Sequence, residues 1–102
     1  MMMAVVMQAP LAGADIQHPY IERRAEVVGG EPIIVGTRIA VRVIAGWHRM
    51  GSTADEIVAM YPHLNHAQVY DALSYYYDHK GEIERLLAEN EEDKVMRDTA
   101  SV

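Results

Sequence analysis

Apolar positions change their spacing near residue 40 of this 102-residue chain. Ahead of that point they come in short runs punctuated by glycine. Tyr20–Val28 predicts a short strand, Gly29-Gly30-Glu31-Pro32 a turn, and Ile33–Val35 a second strand. Paired glycines reach positive φ without steric cost, which suits a hairpin. Gly36 then permits another bend, and Thr37–Ala40 leads onward. An isolated hairpin is marginal in water, so this one must pack on something; Ile33, Val35 and Ile39 are the side chains available.

Beyond residue 40 the spacing becomes helical. Val41–Met50 predicts a first helix that buries Val41, Ile44 and Ala45 with Trp47 or His48, and Gly51 ends it. Thr53 followed by Glu56 makes a capping box for a second helix with Ile57, Val58, Met60 and Tyr61 in its stripe, stopped by Pro62. Asn65 with Gln68 repeats that start signal, and Leu64 with Val69 forms a hydrophobic staple. The third helix carries Val69, Ala72, Leu73, Tyr76 and Tyr77 to about His79, where Gly81 interrupts it. Glu82 to about Asn90 continues as a helix with Ile83, Leu86 and Leu87 in a stripe, followed by a frayed acidic tail. The class expected is therefore mostly α with a short N-terminal β-hairpin. The chain divides into a disordered leader (1–18), a hairpin-plus-helices domain (19–80) and an acidic helix and tail (81–102).

Composition narrows the functional classes. There are no cysteines, which excludes disulfides, thiolate zinc sites and a cysteine nucleophile and is compatible with a reducing cytoplasm, the location expected. The N-terminal stretch MMMAVVMQAPLAGAD has no Lys or Arg and its apolar run breaks at Gln8 and Pro10, unlike a secretory signal. No apolar run approaches the roughly 20 residues that cross a bilayer, so no membrane partner is expected. Net charge is −6 but unevenly spread: Arg23–Met50 holds five arginines against Glu26 and Glu31, while Gly81–Val102 holds seven acids against three bases. A basic front and an acidic tail fit two partners of opposite charge, and a solvated surface gives the same count.

Chemistry-bearing groups are few. Asp55–Tyr77 has the rhythm of a helix-turn-helix, in which Asn65, His66 and Gln68, with Tyr70 and Ser74, face the major groove. Asn and Gln read adenine bidentately, yet both are equally explained as caps, and Asp71 on the same helix repels phosphate. Arg23, Arg24, Arg38 and Arg42 are the candidate phosphate clamp, with intramolecular pairing to Asp or Glu as the competing reading. His63 and His66 straddle a turn, and no zinc or two-metal spacing appears, so neither metal nor cofactor is expected. With no nucleophile elbow or phosphate loop, an enzyme is not expected either. Tyr75-Tyr76-Tyr77 places rings on three helix faces, at least one of them exposed.

The run Gly29-Gly30-Glu31-Pro32-Ile33-Ile34-Val35-Gly36-Thr37-Arg38-Ile39 resembles the GGxPxIxGTRI signature of the domain-of-unknown-function 433 family. Gly51–Ile57, Tyr61–Leu64 and Val69–Tyr77 are similar to its later blocks, and the likeness extends over about Tyr20 to Leu87. Ala40 departs from the proline often found there. The resemblance implies a hairpin packed on a homeodomain-like three-helix bundle (helix-turn-helix) with a further C-terminal helix. It also implies a VapB-like antitoxin that neutralises a PIN-like ribonuclease toxin and autorepresses its operon, binding operator DNA as a homodimer or higher oligomer. On that reading Arg23, Arg24, Arg38, Arg42, Asn65, His66 and Gln68 contact DNA, and Ile83, Leu86 and Leu87 contact the toxin. A protein-interaction module that sequesters a partner without touching DNA is the alternative, and the overall acidity favours it.

Overall fold

A computed structural model describes the backbone of residues 17–100 and the side chains of residues 17–90. The leader expected at 1–18 lies outside the described residues as far as residue 16. In chain order come β1 (Ile21–Glu22), a short 3-10 turn (Val28–Gly30), β2 (Ile33–Ile34) and four helices. These are α1 (Val41–Arg49), α2 (Ala54–Met60), α3 (His66–Asp78) and α4 (Lys80–Ala100). The architecture is mostly helical, with a two-stranded antiparallel hairpin at the N-terminal side.

The hairpin is shorter than expected, and the reason lies in its turn. Only Ile21 and Glu22 pair, with Ile34 and Ile33 respectively, and Val35 N–H extends the ladder to Tyr20 C=O at 2.8 Å. The first strand does not run on to Val28. The chain already turns at Arg24–Val27, where Val27 N–H donates to Arg24 C=O at 2.9 Å, and Val28, Gly29 and Gly30 follow in the left-handed region with φ of 49°, 63° and 83°. Hydrogen bonds from Gly30 N–H to Val27 C=O (3.0 Å) and Glu31 N–H to Val28 C=O (3.3 Å) close this turn instead.

β2 is also paired on its other edge. Ile33 bridges Ala40, Ile34 N–H donates to Ile39 C=O at 2.9 Å, and Val41 N–H donates to Pro32 C=O at 2.9 Å. The bend between them uses Gly36 at φ 78° and Thr37, whose hydroxyl donates to Ile34 C=O (2.8 Å) and accepts from Ile39 N–H (2.9 Å). That explains the Gly-Thr pair: one residue reaches the left-handed region and the next satisfies two backbone groups. Ile33 and Ile34 are both fully buried, whereas Val35, expected to pack inward, is 39% exposed. Ile34 takes the core position because it stands opposite Ile21 in the register.

α1 ends as its glycine requires. Gly51, at φ 99°, donates to His48 C=O and Ser52 to Trp47 C=O, the paired bonds of a Schellman motif. Both expected capping boxes form, Thr53 with Glu56 and Asn65 with Gln68. The core gathers Ile44 and Ala45 from α1, Ile57 from α2, and Val69, Ala72, Tyr75 and Tyr76 from α3, with Ile21 and Ile34 from the hairpin. Each fully buried aliphatic side chain contributes about 1.5–3 kcal/mol relative to exposure. Two stripe residues fall outside: Met60 is 41% exposed, and Tyr77 is 57% exposed while Tyr75 is buried in its place. The α3–α4 break comes at His79, at φ −131° and ψ 45°, so Gly81 sits inside the first turn of α4 rather than interrupting the chain. Ile83 is fully buried, and Leu86 and Leu87 pack half-buried against the core. Leu87 rests over Gly46 of α1, where an added Cβ would lie 3.4 Å from Leu87 Cδ2.

Candidate functional site

The outward surface of α3 is built by what holds its start. Asn65 accepts from Gln68 N–H at 2.9 Å and Gln68 Oε1 accepts from Asn65 N–H at 2.8 Å, so both candidate base-readers are engaged in capping. His66 Nε2 lies 2.6 Å from Asp55 Oδ1 of α2 and its ring stacks near Tyr70 with centroids 6.5 Å apart. With the helix start held this way, His66, Ala67, Tyr70, Ser74 and Tyr77 are exposed along one side of α3. Asp71 does not share that side: Oδ1 faces the His18 ring at 3.2 Å and Oδ2 accepts from Tyr20 N–H at 2.8 Å. The acid that looked unfavourable for phosphate is occupied by the chain's own N-terminal segment.

The arginines do not converge. Arg23 donates to Tyr75 Oη at 2.8 Å and pairs with Glu82. Burial opposes its charge, but the hydrogen bond and charge of Glu82 and the contribution of Tyr75 outweigh it, so the guanidinium is held above its ordinary range. Arg24 sits between Glu26 (3.5 Å) and Glu22 (4.0 Å). Arg42 pairs with Glu31 at 2.9 Å, both partly buried, joining α1 to the turn that precedes β2. Arg38 and Arg49 are exposed and have no carboxylate partner among the described residues. Intramolecular pairing therefore accounts for three of the four candidate arginines and leaves Arg38 available.

On α4 the three proposed toxin contacts differ. Ile83 is a core residue and reaches a partner only if α4 is displaced, whereas Leu86 and Leu87 keep part of their surface. Glu84 accepts from the Tyr76 hydroxyl at 2.8 Å. The acidic side chains from Glu91 onward lie outside the described side chains.

Two features were missed. His18, placed in the leader by its sequence, is 2% exposed, with Asp71 and Asp78 on its two ring nitrogens at 3.2 and 2.8 Å. Those partners are 53 and 60 positions away, and no local pattern marks them. Trp47 Nε1–H donates to Tyr61 Oη at 3.0 Å, tying α1 to the end of α2; the lone tryptophan was the only hint.

A hairpin with a Gly-Thr bend feeding a small helical core defines the class of domain. The profile described as "Protein of unknown function (DUF433)" matches residues 21–76, more than half of the chain, and the protein belongs to the DUF433 family. A solved relative, a DUF433 member protein from Anabaena variabilis whose crystal structure was determined at 2.00 Å, is 30% identical. The alignment covers 68% of each chain, with a TM-score of 0.64. No curated protein matches the chain. His18 and α4 lie outside the residues matched by the family profile.

Proposed function

We propose that this protein is an antitoxin-like DNA-binding protein of a type II toxin–antitoxin system, with α2, the Tyr61–Asn65 connection and α3 acting as a homeodomain-like helix-turn-helix. The observation that carries this reading is the pair of capping boxes, which set two helices in succession and leave His66, Ala67, Tyr70 and Ser74 of α3 in solvent. In the groove those residues would meet base edges, and Arg38 and Arg49 would supply phosphate contacts. A homodimer would double them across two half-sites. α4, with Leu86, Leu87 and its acidic length, would face a basic surface on a PIN-like ribonuclease.

Among the described residues the free cations are few, so the expected salt dependence is shallow. Each phosphate neutralised contributes a slope of about −0.9 in log K against log salt, and an alanine at Arg38 removes roughly one such unit per protomer. A gel shift on the protein's own promoter fragment at low salt tests the reading. Retardation that Arg38→Ala weakens while the far-ultraviolet circular dichroism stays unchanged is expected. No retardation at any protein concentration would abandon the DNA-binding half.

A second reading has its own observation. Arg23, Arg24 and Arg42 are internally neutralised and the chain carries −6, which favours a module that sequesters a protein partner without DNA. Co-purification with the product of the adjacent reading frame, without any promoter shift, would select it.

A further inference from the structure

Among the described residues, Arg38, Arg49 and Lys80 are the cations with no carboxylate partner. Arg49 and Lys80 come together at one corner of the molecule, where α1 and α3 end and α4 begins. Lys80 Nζ lies over the Tyr77 ring, 5.8 Å from its centroid. Burial and Glu84 raise the Tyr76 phenol while the charge of Arg49 lowers it, so Arg49 stands near that ring. The Tyr76 and Tyr77 rings are 4.9 Å apart between centroids. His48 joins them from α1, with Nε2 2.6 Å from Tyr77 Oη and its ring edge-on to Tyr77 at 5.6 Å.

The acids beside this corner are engaged elsewhere. Glu84 accepts from the Tyr76 hydroxyl at 2.8 Å, Asp78 faces His18 at 2.8 Å, and Glu82 pairs with Arg23. What the corner offers outward is therefore two cations and the exposed His48–Tyr77 pair. In either tautomer that pair keeps a donor for a third group. If Nε2–H donates to Tyr77 Oη, the phenol O–H remains; if the phenol donates to Nε2, the Nδ1–H remains. Two ammonium or guanidinium groups beside a hydroxyl or imidazole N–H are complementary to a phosphate.

The corner also continues the outward side of α3. His66, Tyr70, Ser74 and Tyr77 follow at intervals of four, four and three, so they share one side of the helix. Tyr77 stands about 16 Å along the axis from His66, whereas a major groove is about 12 Å wide. A straight helix with its first turns at the base edges has its last turn at the groove wall, which is phosphate. We propose that His48, Arg49, Tyr77 and Lys80 form a phosphate clamp that seats the end of α3 on the backbone of duplex DNA. The clamp rests on the helix-turn-helix reading of α2 and α3 and supplies its anchor at the far end: Tyr70 and Ser74 face bases, and the corner fixes the angle at which they enter.

The experiment measures binding of the full chain to its own promoter fragment and to a scrambled duplex of the same length over a range of salt. Lys80→Ala is expected to weaken binding to both duplexes by the same factor and to make the slope of log K against log salt shallower by about 0.9 per protomer. Tyr77→Phe, which removes no charge, should weaken both equally with the slope unchanged. Arg85→Ala on α4, whose guanidinium is paired with Glu89, is the control for net charge and should keep the wild-type slope. Lys80→Gln, which keeps the stem over Tyr77, replaces Lys80→Ala should the alanine variant alter the Tm. An unchanged slope in the Lys80 variant overturns the clamp while leaving the helix-turn-helix standing, as does an equal change in Arg85→Ala or a loss confined to the promoter fragment. If the wild type binds neither duplex, both fall together.

Discussion

Val28 and Tyr76 show how single side chains report on their surroundings. Val28 has φ 49°, a conformation in which a β-branched residue crowds the following carbonyl at a cost of roughly 1–2 kcal/mol. Asparagine tolerates that region better, so Val28→Asn is expected to stabilise the protein by about 0.5–1 kcal/mol, read as a higher urea midpoint with an unchanged m-value. A lower midpoint would mean that the half-buried valine contributes more by packing than the turn loses by strain. Tyr76 is buried, and burial first, then its hydrogen bond to Glu84 and the nearby carboxylate charge, push its phenol above the ordinary value of 10.0. With the folded value raised, the neutral phenol favours the native state. Its contribution is complete below about pH 10 and is lost as pH rises from there through the folded value. Denaturant titrations from about pH 9 to 11 should show stability falling in the wild type and falling less in Tyr76→Phe.

At the level of elements, the caps decide where helices begin and thereby which side of α3 is outward. Asn65 caps a thirteen-residue helix through two reciprocal bonds. Asn65→Ala is expected to cost about 1 kcal/mol and Asn65→Gly only a few tenths, measured by equilibrium unfolding. If both substitutions cost the same, the side-chain bonds at this terminus carry no weight. The Thr37 bend is a comparable device in the hairpin: its hydroxyl fastens the 34–39 turn from inside, so β2 has partners on both edges despite its two-residue length. Gly46 is not such a device. A Cβ there would lie 3.4 Å from Leu87 Cδ2, an ordinary contact distance, so the α1–α4 seam does not depend on the missing side chain.

For the whole molecule, charge and stability are coupled through the same arginines. Arg42 holds Glu31 across the junction between hairpin and helices, and Glu31 would be left partly buried and unpaired without it. Arg42→Ala is therefore expected to lower stability by about 1.5–3 kcal/mol, whereas Arg38→Ala, on an exposed side chain with no carboxylate partner among the described residues, should change stability by less than about 0.5 kcal/mol. Paired thermal melts check this directly, and equal losses would refute the assignment of Arg42 as the structural member. No helix among the described residues is long and apolar enough to cross a membrane.

Much of the architecture could be read locally, because its signals are local. Gly51, the Thr53–Glu56 and Asn65–Gln68 boxes and the 3-4 spacing of Val69, Ala72 and Tyr76 act within a few residues, and each appears where its pattern stood. The first strand stops at Glu22 rather than Val28 because the chain turns at Arg24–Val27, and no glycine, proline or asparagine in that stretch announces the turn. The candidate site was less legible. Side-chain type marked Arg23, Arg24, Arg38 and Arg42 alike, yet whether a charge is spent or free depends on a carboxylate brought near by folding. The sequence by itself determined the helices, their caps, the Gly-Thr bend and the family, since these rest on backbone preferences and short-range hydrogen bonds. Only the tertiary structure decided that Arg42 belongs to Glu31 and Arg23 to Glu82, that Ile83 is core, and that His18 lies between Asp71 and Asp78. Those pairings join positions up to 60 residues apart, and packing of the hydrophobic core is what brings them together.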